Sequence, residues 1–279
     1  MEHIIANQEN FEKIKQVMRE EGTEKFHVLA DFDRTLTKAF VEGQKSPTVI
    51  AQIRNGKYLT PDYAPRAHAF YDHYASMETD PALSREEKMQ KMHEWWKKHF
   101  DLLIECGLNK QVIQEIVATR TLQFRDGTLE FLDFLHEHQI PLVIMSAAPG
   151  DMILEYLRQE GRLYDNIHII SNLFVFDEKG KVTAIKEPII HSLNKYEIVV
   201  KNFPIFDSIK DRKNVLLLGD GLDDVGMIEG FDYDHLLKVG FLNENVDERL
   251  ELYKETFDVV LTGDPGMEFV NNLVKEIGE

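Results

Sequence analysis

Short apolar runs alternate with amphipathic segments along most of the 279-residue chain. The first run, Phe26–Ala30, follows a segment from Asn7 to Glu21 whose spaced apolar positions predict a helix. From Gly127 onward, apolar runs and helical patterns alternate, which predicts a parallel sheet with helices on both faces. The strands predicted in this part are Leu142–Met145, Ile167–Ile170, Val215–Leu218, Leu236–Val239 and Val259–Leu261.

Two segments have a different pattern. From about residue 47 to about residue 120 the chain shows helical stretches and no clear strand, and Ser84 with Glu87 forms a capping-box pattern that begins a helix. Residues 174–185 predict a β-hairpin that turns at Lys179-Gly180.

The order of these elements predicts an α/β fold with two parts. We expect a Rossmann-like parallel-sheet core formed by residues 1–40 and 122–279. We expect the core to be interrupted by an inserted α-helical segment at residues 41–121.

Acidic and hydroxyl residues directly follow the first predicted strand, as Asp31-Phe-Asp33-Arg-Thr35. In open α/β sheets, ligands bind beyond the carboxyl ends of such strands. Two acids spaced by one residue suit a cation such as Mg²⁺, and one of them could act as a nucleophile that forms an aspartyl-phosphate. Taken alone, the segment fits a solvated turn with helix-capping side chains equally well.

Two later strands end in similar polar segments. Ser146 comes between a strand and a helical pattern, where a hydroxyl and free N–H groups can bind an anion, or where the serine can simply cap the helix. Asp220 and Asp224 follow the apolar run that begins at Asn214. Acids clustered after the end of a buried strand fit a cation-binding site better than a structural loop. Lys195 lies between these segments and, taken alone, is a surface lysine.

In this order, the D-x-D-x-T segment, the strand-end serine, the lysine and the G-D-x-x-x-D segment resemble the four signature motifs of the haloacid dehalogenase (HAD) superfamily of phosphotransferases. Nearly the whole chain is similar to the cytosolic pyrimidine 5′-nucleotidase family. The segments that carry this resemblance are 31–37, 46–48, 78–81, 86–88, 94–95, 146–147, 150–151, 171–172, 191, 194–195, 219–220 and 238–243. The resemblance implies a HAD core whose helical insert is a cap that closes over the active site and selects the substrate.

The resemblance also implies the roles of the acids and a Mg²⁺ cofactor. Asp31 would attack phosphorus and also bind Mg²⁺. Asp33 would protonate the leaving oxygen, activate water afterwards and bind the metal through its backbone carbonyl. Asp220 would be a further metal ligand, and Asp224 would orient the water molecules on the metal.

The substrate would be held by residues of both parts. By resemblance, Ser146, the backbone N–H of Ala147 and Lys195 would hold the phosphoryl oxygens. In the cap, Glu78 would hydrogen-bond the pyrimidine base and Trp95 would line the same pocket. From the residues themselves, Glu78 could instead cap a helix or face solvent, and Trp95 could belong to the apolar core of the cap.

Three positions depart from the family pattern, and one acid is additional to it. Ala148 stands where glycine is usual, and Gly221 stands where serine is usual. Ala39 stands where the family has an aromatic residue that can stack on the base, which leaves the base preference open. Asp223 is not required by the pattern, and we expect it to be exposed to solvent.

The composition of the chain limits the possible functions and the cellular compartment of the protein. The net charge of −17 argues against nucleic-acid binding, which requires a basic surface. A single cysteine, Cys106, cannot form an intramolecular disulfide and favours a reducing compartment. The N-terminus lacks the pattern of a signal peptide, and no stretch approaches the length of a membrane span. We expect a cytoplasmic protein without a membrane partner, a monomer or a weak dimer.

The sequence thus predicts an Mg²⁺-dependent 5′-nucleotidase that releases phosphate from nucleoside monophosphates, with UMP and CMP as substrates. Two alternatives remain: a HAD phosphatase for another small phosphomonoester, and a non-catalytic phosphate-binding regulatory protein. The presence of Asp31, Asp33, Lys195 and Asp220 argues against the last.

Overall fold

The computed structural model describes residues 3–197 and 203–278. Within these residues, a seven-stranded sheet with the order β1-β11-β10-β9-β2-β5-β6 forms the centre of the molecule. All neighbouring strands are parallel except β1, which pairs antiparallel with β11 at one edge. The strands are β1 (His3–Ile5), β2 (Phe26–Ala30), β5 (Leu142–Pro149), β6 (Ile167–Asn172), β9 (Asn214–Gly219), β10 (His235–Leu242) and β11 (Val259–Thr262).

Two small hairpins lie outside this sheet. They are β3 (Phe40–Val41) with β4 (Gln44–Lys45), and β7 (Phe174–Phe176) with β8 (Val182–Ile185). The second confirms the hairpin predicted for residues 174–185. The hairpin of β3 and β4 and the edge strand β1 were not predicted, because strands of two or three residues are too short to produce an alternating pattern.

Helices cover the sheet and fill the segment between β4 and β5. They are α1 (Gln8–Glu21), α2 (Val49–Asn55), α3 (Tyr63–Tyr74), α4 (Arg85–Glu105), α5 (Lys110–Ala118), α6 (Thr128–Glu137), α7 (Gly150–Gln159), α8 (Phe206–Ile209), α9 (Val246–Thr256) and α10 (Glu268–Gly278). None of the described helices is both long enough and apolar enough to cross a membrane.

The core lies on both faces of the sheet because successive strand residues point to opposite sides. Val28 and Ala30 of β2 pack with Leu216 of β9 in the larger apolar cluster. Leu29 and Leu217, the residues between them, pack in a second cluster on the other face. A strand that is buried on both faces reads as a continuous apolar run, and this is the reason that these strands could be predicted.

The helical segment begins and ends as its sequence predicts. Helix α4 starts with the predicted capping box: the Glu87 N–H donates to the Ser84 hydroxyl oxygen, and the Glu87 carboxylate accepts from the Ser84 N–H at 2.8 Å. Helices α2 to α5 occupy residues 49–118, inside the segment predicted as a cap. The α/β fold with a parallel-sheet core is confirmed, whereas the division into a core and a cap domain stays a prediction.

Candidate active site

Three predicted site segments meet at the carboxyl ends of three adjacent strands. In the register of the sheet, Ala30 of β2 is paired with Ile144 of β5 on one side and with Leu218 of β9 on the other. Asp31 follows Ala30 directly, and Ser146 and Asp220 each come two residues after the paired position. Because neighbouring strands are about 4.8 Å apart, this register brings the three side chains to one edge of the sheet.

Lys195 joins this cluster from a 3₁₀ turn at residues 192–197. Its ammonium lies 2.6 Å from Asp31 Oδ1 and 2.8 Å from Asp224 Oδ1, and only 5% of the residue is exposed. The alternative of a surface lysine is therefore wrong. The two carboxylates keep the pKa of Lys195 above its ordinary value although burial alone would lower it, so the side chain is a fixed positive charge.

Asp224 is held in place by the backbone after β9. Its Oδ2 accepts hydrogen bonds from the N–H groups of Asp220 at 3.1 Å and Gly221 at 2.8 Å. A Cβ atom at Gly219 would lie 2.6 Å from the Asp224 Cβ, so this close approach requires glycine. Asp223, the additional acid, is exposed as expected.

The acids of this cluster fit a divalent cation. One carboxylate oxygen from each of Asp31, Asp220 and Asp224 lies within 4.8 Å of the others. Burial raises the pKa of Asp31 to about 6, while Lys195 acts in the opposite direction. Burial and the charges of Asp224 and Asp31 raise the pKa of Asp220 well above its ordinary value. A bound cation would relieve this repulsion, and oxygen ligands are those that Mg²⁺ prefers.

Asp33 has a pKa that suits a group that carries a proton. Its Oδ1 accepts a hydrogen bond of 2.9 Å from the N–H of Val49, the first residue of α2. Burial, followed by the charge of Asp31, raises the pKa of Asp33 to about 7. A carboxyl group with a pKa near neutrality can donate a proton in one step and accept one in the next.

A cleft of about 340 Å³ connects these residues with the helical segment. Ser146, Ala147 and Lys195 line it on the side of the sheet, and Glu78 and Trp96 line it on the side of the helices. The cleft thus contains groups that can hold a phosphate at one end and an aromatic ring with a carboxylate at the other.

Glu78 and Trp95 differ in their surroundings. Glu78 is half-buried, and the Ser192 hydroxyl donates a hydrogen bond to its Oε1. Trp95 stacks on Tyr74 with ring centroids 6.1 Å apart and packs against the edge of Tyr71. Trp96, which the sequence did not single out as a pocket residue, is the indole that lines the cleft among the described residues. The predicted roles of Glu78 and Trp95 in base binding stay predictions.

Comparison with known proteins identifies the family. The sequence model of the pyrimidine 5′-nucleotidase (UMPH-1) family matches residues 34–278. The chain belongs to this family. It is therefore a 5′-nucleotidase, as its motifs predict.

Individual relatives agree with this assignment. The mouse 7-methylguanosine phosphate-specific 5′-nucleotidase is 34% identical over 267 residues, which are 95% of this chain and 89% of the relative. The crystal structure of cytosolic 5′-nucleotidase IIIB bound to cytidine matches with a TM-score of 0.91 and 27% identity, over 99% of this chain and 93% of that chain.

A more distant structure supports the fold alone. A HAD family hydrolase from Salmonella enterica serovar Typhi matches with a TM-score of 0.57 and 13% identity, over 90% of this chain and 72% of that chain. Together with the sheet described above, this likeness confirms the HAD-type core.

Two of the three departures from the family pattern, Ala148 and Gly221, are accommodated in this 5′-nucleotidase. Ala148 is buried, its N–H donates to the Ser146 hydroxyl oxygen at 3.2 Å, and its carbonyl accepts from Ser171. Gly221 supplies one of the N–H groups that hold Asp224. Neither departure removes a charged group from the cluster.

Arg125 is a site residue that the sequence did not reveal. Its side chain is fully buried, and its guanidinium donates to the backbone carbonyls of Arg34 and, at 2.7 Å, Thr35, the residues that follow Asp33. It also donates to Asn243 at 2.7 Å and to Asp264 at 2.6 Å. Arg125 therefore fixes the backbone of the loop that follows Asp31 and Asp33.

Asp264 extends this network to the segment that leads towards the helices. Its carboxylate accepts the N–H groups of Ala39 at 2.9 Å and Phe40 at 2.8 Å, in addition to the Arg125 guanidinium. No motif marks Arg125 or Asp264, because each is recognised only by partners that are distant in sequence.

Replacing Arg125 by methionine should destabilise the enzyme strongly. The substitution leaves the Asp264 carboxylate and two loop carbonyls without their buried donor, which costs about 3–5 kcal/mol for a broken buried ion pair. Urea denaturation followed by circular dichroism measures the free energy of unfolding. Arg19→Met, at an exposed position of α1, is the control and should change it by about 0.5 kcal/mol or less. Equal stabilities of the two variants would contradict the role of Arg125.

Proposed function

We propose that this 5′-nucleotidase hydrolyses pyrimidine nucleoside 5′-monophosphates, UMP and CMP, to nucleoside and phosphate through an aspartyl-phosphate. The observation that carries the proposal is the cleft that contains Asp31, Lys195 and Glu78 together. A phosphate beside Lys195 would place its ester oxygen and base towards the helices, where a carboxylate is available to read the base.

In the first step, a carboxylate oxygen of Asp31 forms a bond to phosphorus, and the bond between phosphorus and the 5′-oxygen of the nucleoside breaks. Asp33 gives its proton to that oxygen, so the nucleoside leaves as a neutral alcohol. In the second step, Asp33 takes a proton from a water molecule as the water oxygen attacks phosphorus. The bond to Asp31 then breaks, and phosphate is released. The pKa of Asp33, about 7, supports its use in both directions.

The remaining residues hold the phosphoryl group. The Lys195 ammonium, the Ser146 hydroxyl and the Ala147 N–H would contact its oxygens. Asp31 and Asp220, with the backbone carbonyl of Asp33, would hold Mg²⁺, and Asp224 would orient its water molecules. The ion when bound supplies positive charge against the charge of the phosphate.

A second candidate substrate is 7-methylguanosine 5′-monophosphate, because the mouse relative is named as specific for 7-methylguanosine phosphate. The 7-methylated base carries a positive charge. Glu78 offers a negative charge and Trp96 an aromatic face in the same cleft, and both favour a cationic ring.

Phosphate release tests both candidates. The assay would compare CMP, UMP, 7-methylguanosine monophosphate, GMP and ribose 5-phosphate, each with and without Mg²⁺. The highest kcat/KM for CMP and UMP would support the pyrimidine proposal. A preference for 7-methylguanosine monophosphate over both would replace it with the second candidate, and a preference for ribose 5-phosphate would overturn both.

Replacing Glu78 by glutamine should reduce selectivity for the base. If the carboxylate accepts a charge-assisted hydrogen bond from the cytosine amino group, the neutral amide can form only a weaker bond there. The difference is about 1–1.5 kcal/mol, so kcat/KM for CMP should fall roughly five- to tenfold. Ribose 5-phosphate has no base, so its hydrolysis should barely change. Steady-state kinetics on the two substrates measures the difference.

Ser192→Ala is the matched control for this variant. It removes the hydrogen bond between Ser192 and Glu78 but keeps the carboxylate, whereas glutamine can still accept that bond through its amide oxygen. If Ser192→Ala reproduced the loss on CMP, Glu78 would act through the contact with the Lys195 turn. If Glu78→Gln weakened both substrates equally, it would not read the base.

The proposal extends to the organisation and location of the enzyme. Residues 1–40 and 122–279 would form the catalytic core, and residues 41–121 the cap that selects the substrate. A cytoplasmic location is supported by the single cysteine and by the cytosolic relative of known structure. We propose a monomer or a weak dimer.

A further inference from the structure

A second cleft, of about 720 Å³, lies beside the catalytic one. It is lined by the end of the β3–β4 hairpin, by α2 and by part of α3. Arg34 and Thr48 line both clefts, whereas Asp31, Glu78 and Lys195 line only the catalytic one. The second cleft therefore adjoins the catalytic cleft, shares these two residues with it and is otherwise lined by different side chains.

The charge of this cleft is opposite to that of the chain. Arg34, Lys45 and Arg54 line it, and its described lining contains no acidic residue. Glu244, outside the lining, lies 2.6 Å from Lys45 and 3.8 Å from Arg34. Asp33 and Asp220 also act on Arg34, and Asp72 acts on Arg54, but none of these acids lines the cleft. The charged side chains that line the cleft are thus all basic, and a lining of one sign attracts anions.

Four buried donors in this lining have no hydrogen-bond partner among the described residues. They are the Ser46 hydroxyl, Gln52 Nε2 and the Nε atoms of Arg34 and Arg54. Ser46 and Gln52 are each 5% exposed. A buried donor without an acceptor is destabilising, so native proteins rarely keep several together. A ligand rich in acceptor oxygens would offer these donors partners once their side chains turned into the cleft.

Aromatic rings stand beside these donors. The Arg54 guanidinium lies over the Tyr71 ring, 4.0 Å from its centroid, and Tyr58 also lines the cleft. Burial lowers the pKa of Arg54, which indicates a guanidinium partly removed from water. The combination of fixed cations and aromatic faces suits a phosphorylated molecule that also has a flat ring.

We propose that this second cleft binds the polyphosphate chain of a nucleoside triphosphate. The cations and the four donors would contact the phosphate oxygens, and Tyr58 would contact the base. A single phosphate would leave most of these groups unpaired, whereas a chain of three phosphates offers enough oxygens for them. This site would be separate from the one that binds the substrate, and the proposal does not depend on which monophosphate the enzyme hydrolyses.

Calorimetric titration of the whole enzyme with sodium tripolyphosphate and with CTP tests the proposal. EDTA in the buffer removes divalent metal ions, so the enzyme cannot turn over the ligand and the ligands do not bind metal during the titration. Both ligands should bind the wild type, and CTP should bind more tightly. Arg54→Gln should weaken both at least tenfold, whereas Arg19→Gln, which removes a charge from exposed α1, should change neither. Tyr58→Leu should weaken CTP alone.

The results of this titration can refute the second binding site without refuting the proposed substrate, and the reverse. Unchanged binding to Arg54→Gln, no binding to the wild type, or displacement of CTP by CMP would overturn the second binding site. Equal affinities for CTP and tripolyphosphate would show that the cleft does not recognise a nucleoside and would overturn the assignment of a nucleoside triphosphate. If Arg54→Gln unfolds, Lys45→Gln at the half-exposed end of the cleft gives the same comparison. CTP binding that persists in an enzyme without activity on CMP would refute only the proposed substrate.

Discussion

Replacing Asp31 by asparagine should abolish turnover while leaving the fold intact. An amide cannot attack phosphorus, and loss of a nucleophile lowers kcat by a factor on the order of 10⁴–10⁶ in well-studied hydrolases. Asparagine has nearly the same shape, its side-chain oxygen can still accept from Lys195, and Asp224 remains as the charged partner of that lysine, so the fold should stay intact. Phosphate release and a thermal melt on the same preparation measure both properties.

Asp223→Asn is the control for this substitution. Asp223 is an exposed acid near the same edge of the sheet, and it has no role in the proposed reaction. It should keep the activity of the wild type. A folded Asp31→Asn variant that hydrolyses CMP at a rate similar to that of Asp223→Asn would show that another group attacks phosphorus.

Removal of divalent metal should also suppress activity to background. The carboxylates of Asp31, Asp220 and Asp224 converge within 4.8 Å, and Lys195 balances only part of their charge. Without a cation, the phosphate would meet this negative cluster directly. Treatment with EDTA should stop phosphate release, and added Mg²⁺ should restore it. Full activity of the metal-free enzyme would refute the proposed cofactor.

Thermal stability separates metal binding from catalysis. A ligand that binds only the folded state raises the melting temperature, so Mg²⁺ should stabilise the wild type but not Asp220→Asn. Ca²⁺ prefers more ligands and longer bonds, so we expect it to stabilise the protein without supporting turnover. A melting temperature of the wild type that does not respond to either ion would place the metal elsewhere.

The meeting of the acidic and hydroxyl residues at one edge of the sheet could be predicted, because it follows from the order of the strands along the chain. Asp31, Ser146 and Asp220 each come directly after an apolar run, and parallel strands bring such positions to the same edge of a sheet. The family resemblance added Lys195, which by its own pattern was only a surface lysine. Its burial between two carboxylates depends on a turn whose position no local pattern determines.

The other end of the site depends on contacts that join distant segments. The hydrogen bond from Ser192 to Glu78 spans 114 positions, and the Arg125 network reaches from the loop after Asp33 to Asp264. Hydrophobic periodicity carries no information about such pairs. For the same reason, the aromatic residue that lines the cleft, Trp96 rather than its neighbour Trp95, could be identified only from the packing of α4.

The hydrogen bonds from Ala39 and Phe40 to Asp264 determine where the chain can bend. These bonds fix the backbone on the core side of the β3–β4 hairpin, and Arg125 fixes the preceding loop to the same carboxylate. In the proposed division into core and cap, a pivot for movement of the helices would therefore lie beyond Phe40. Asp31 would then keep its position while nucleoside and phosphate exchange with solvent, whereas Asp33 would gain or lose its hydrogen bond from the Val49 N–H as the helices move.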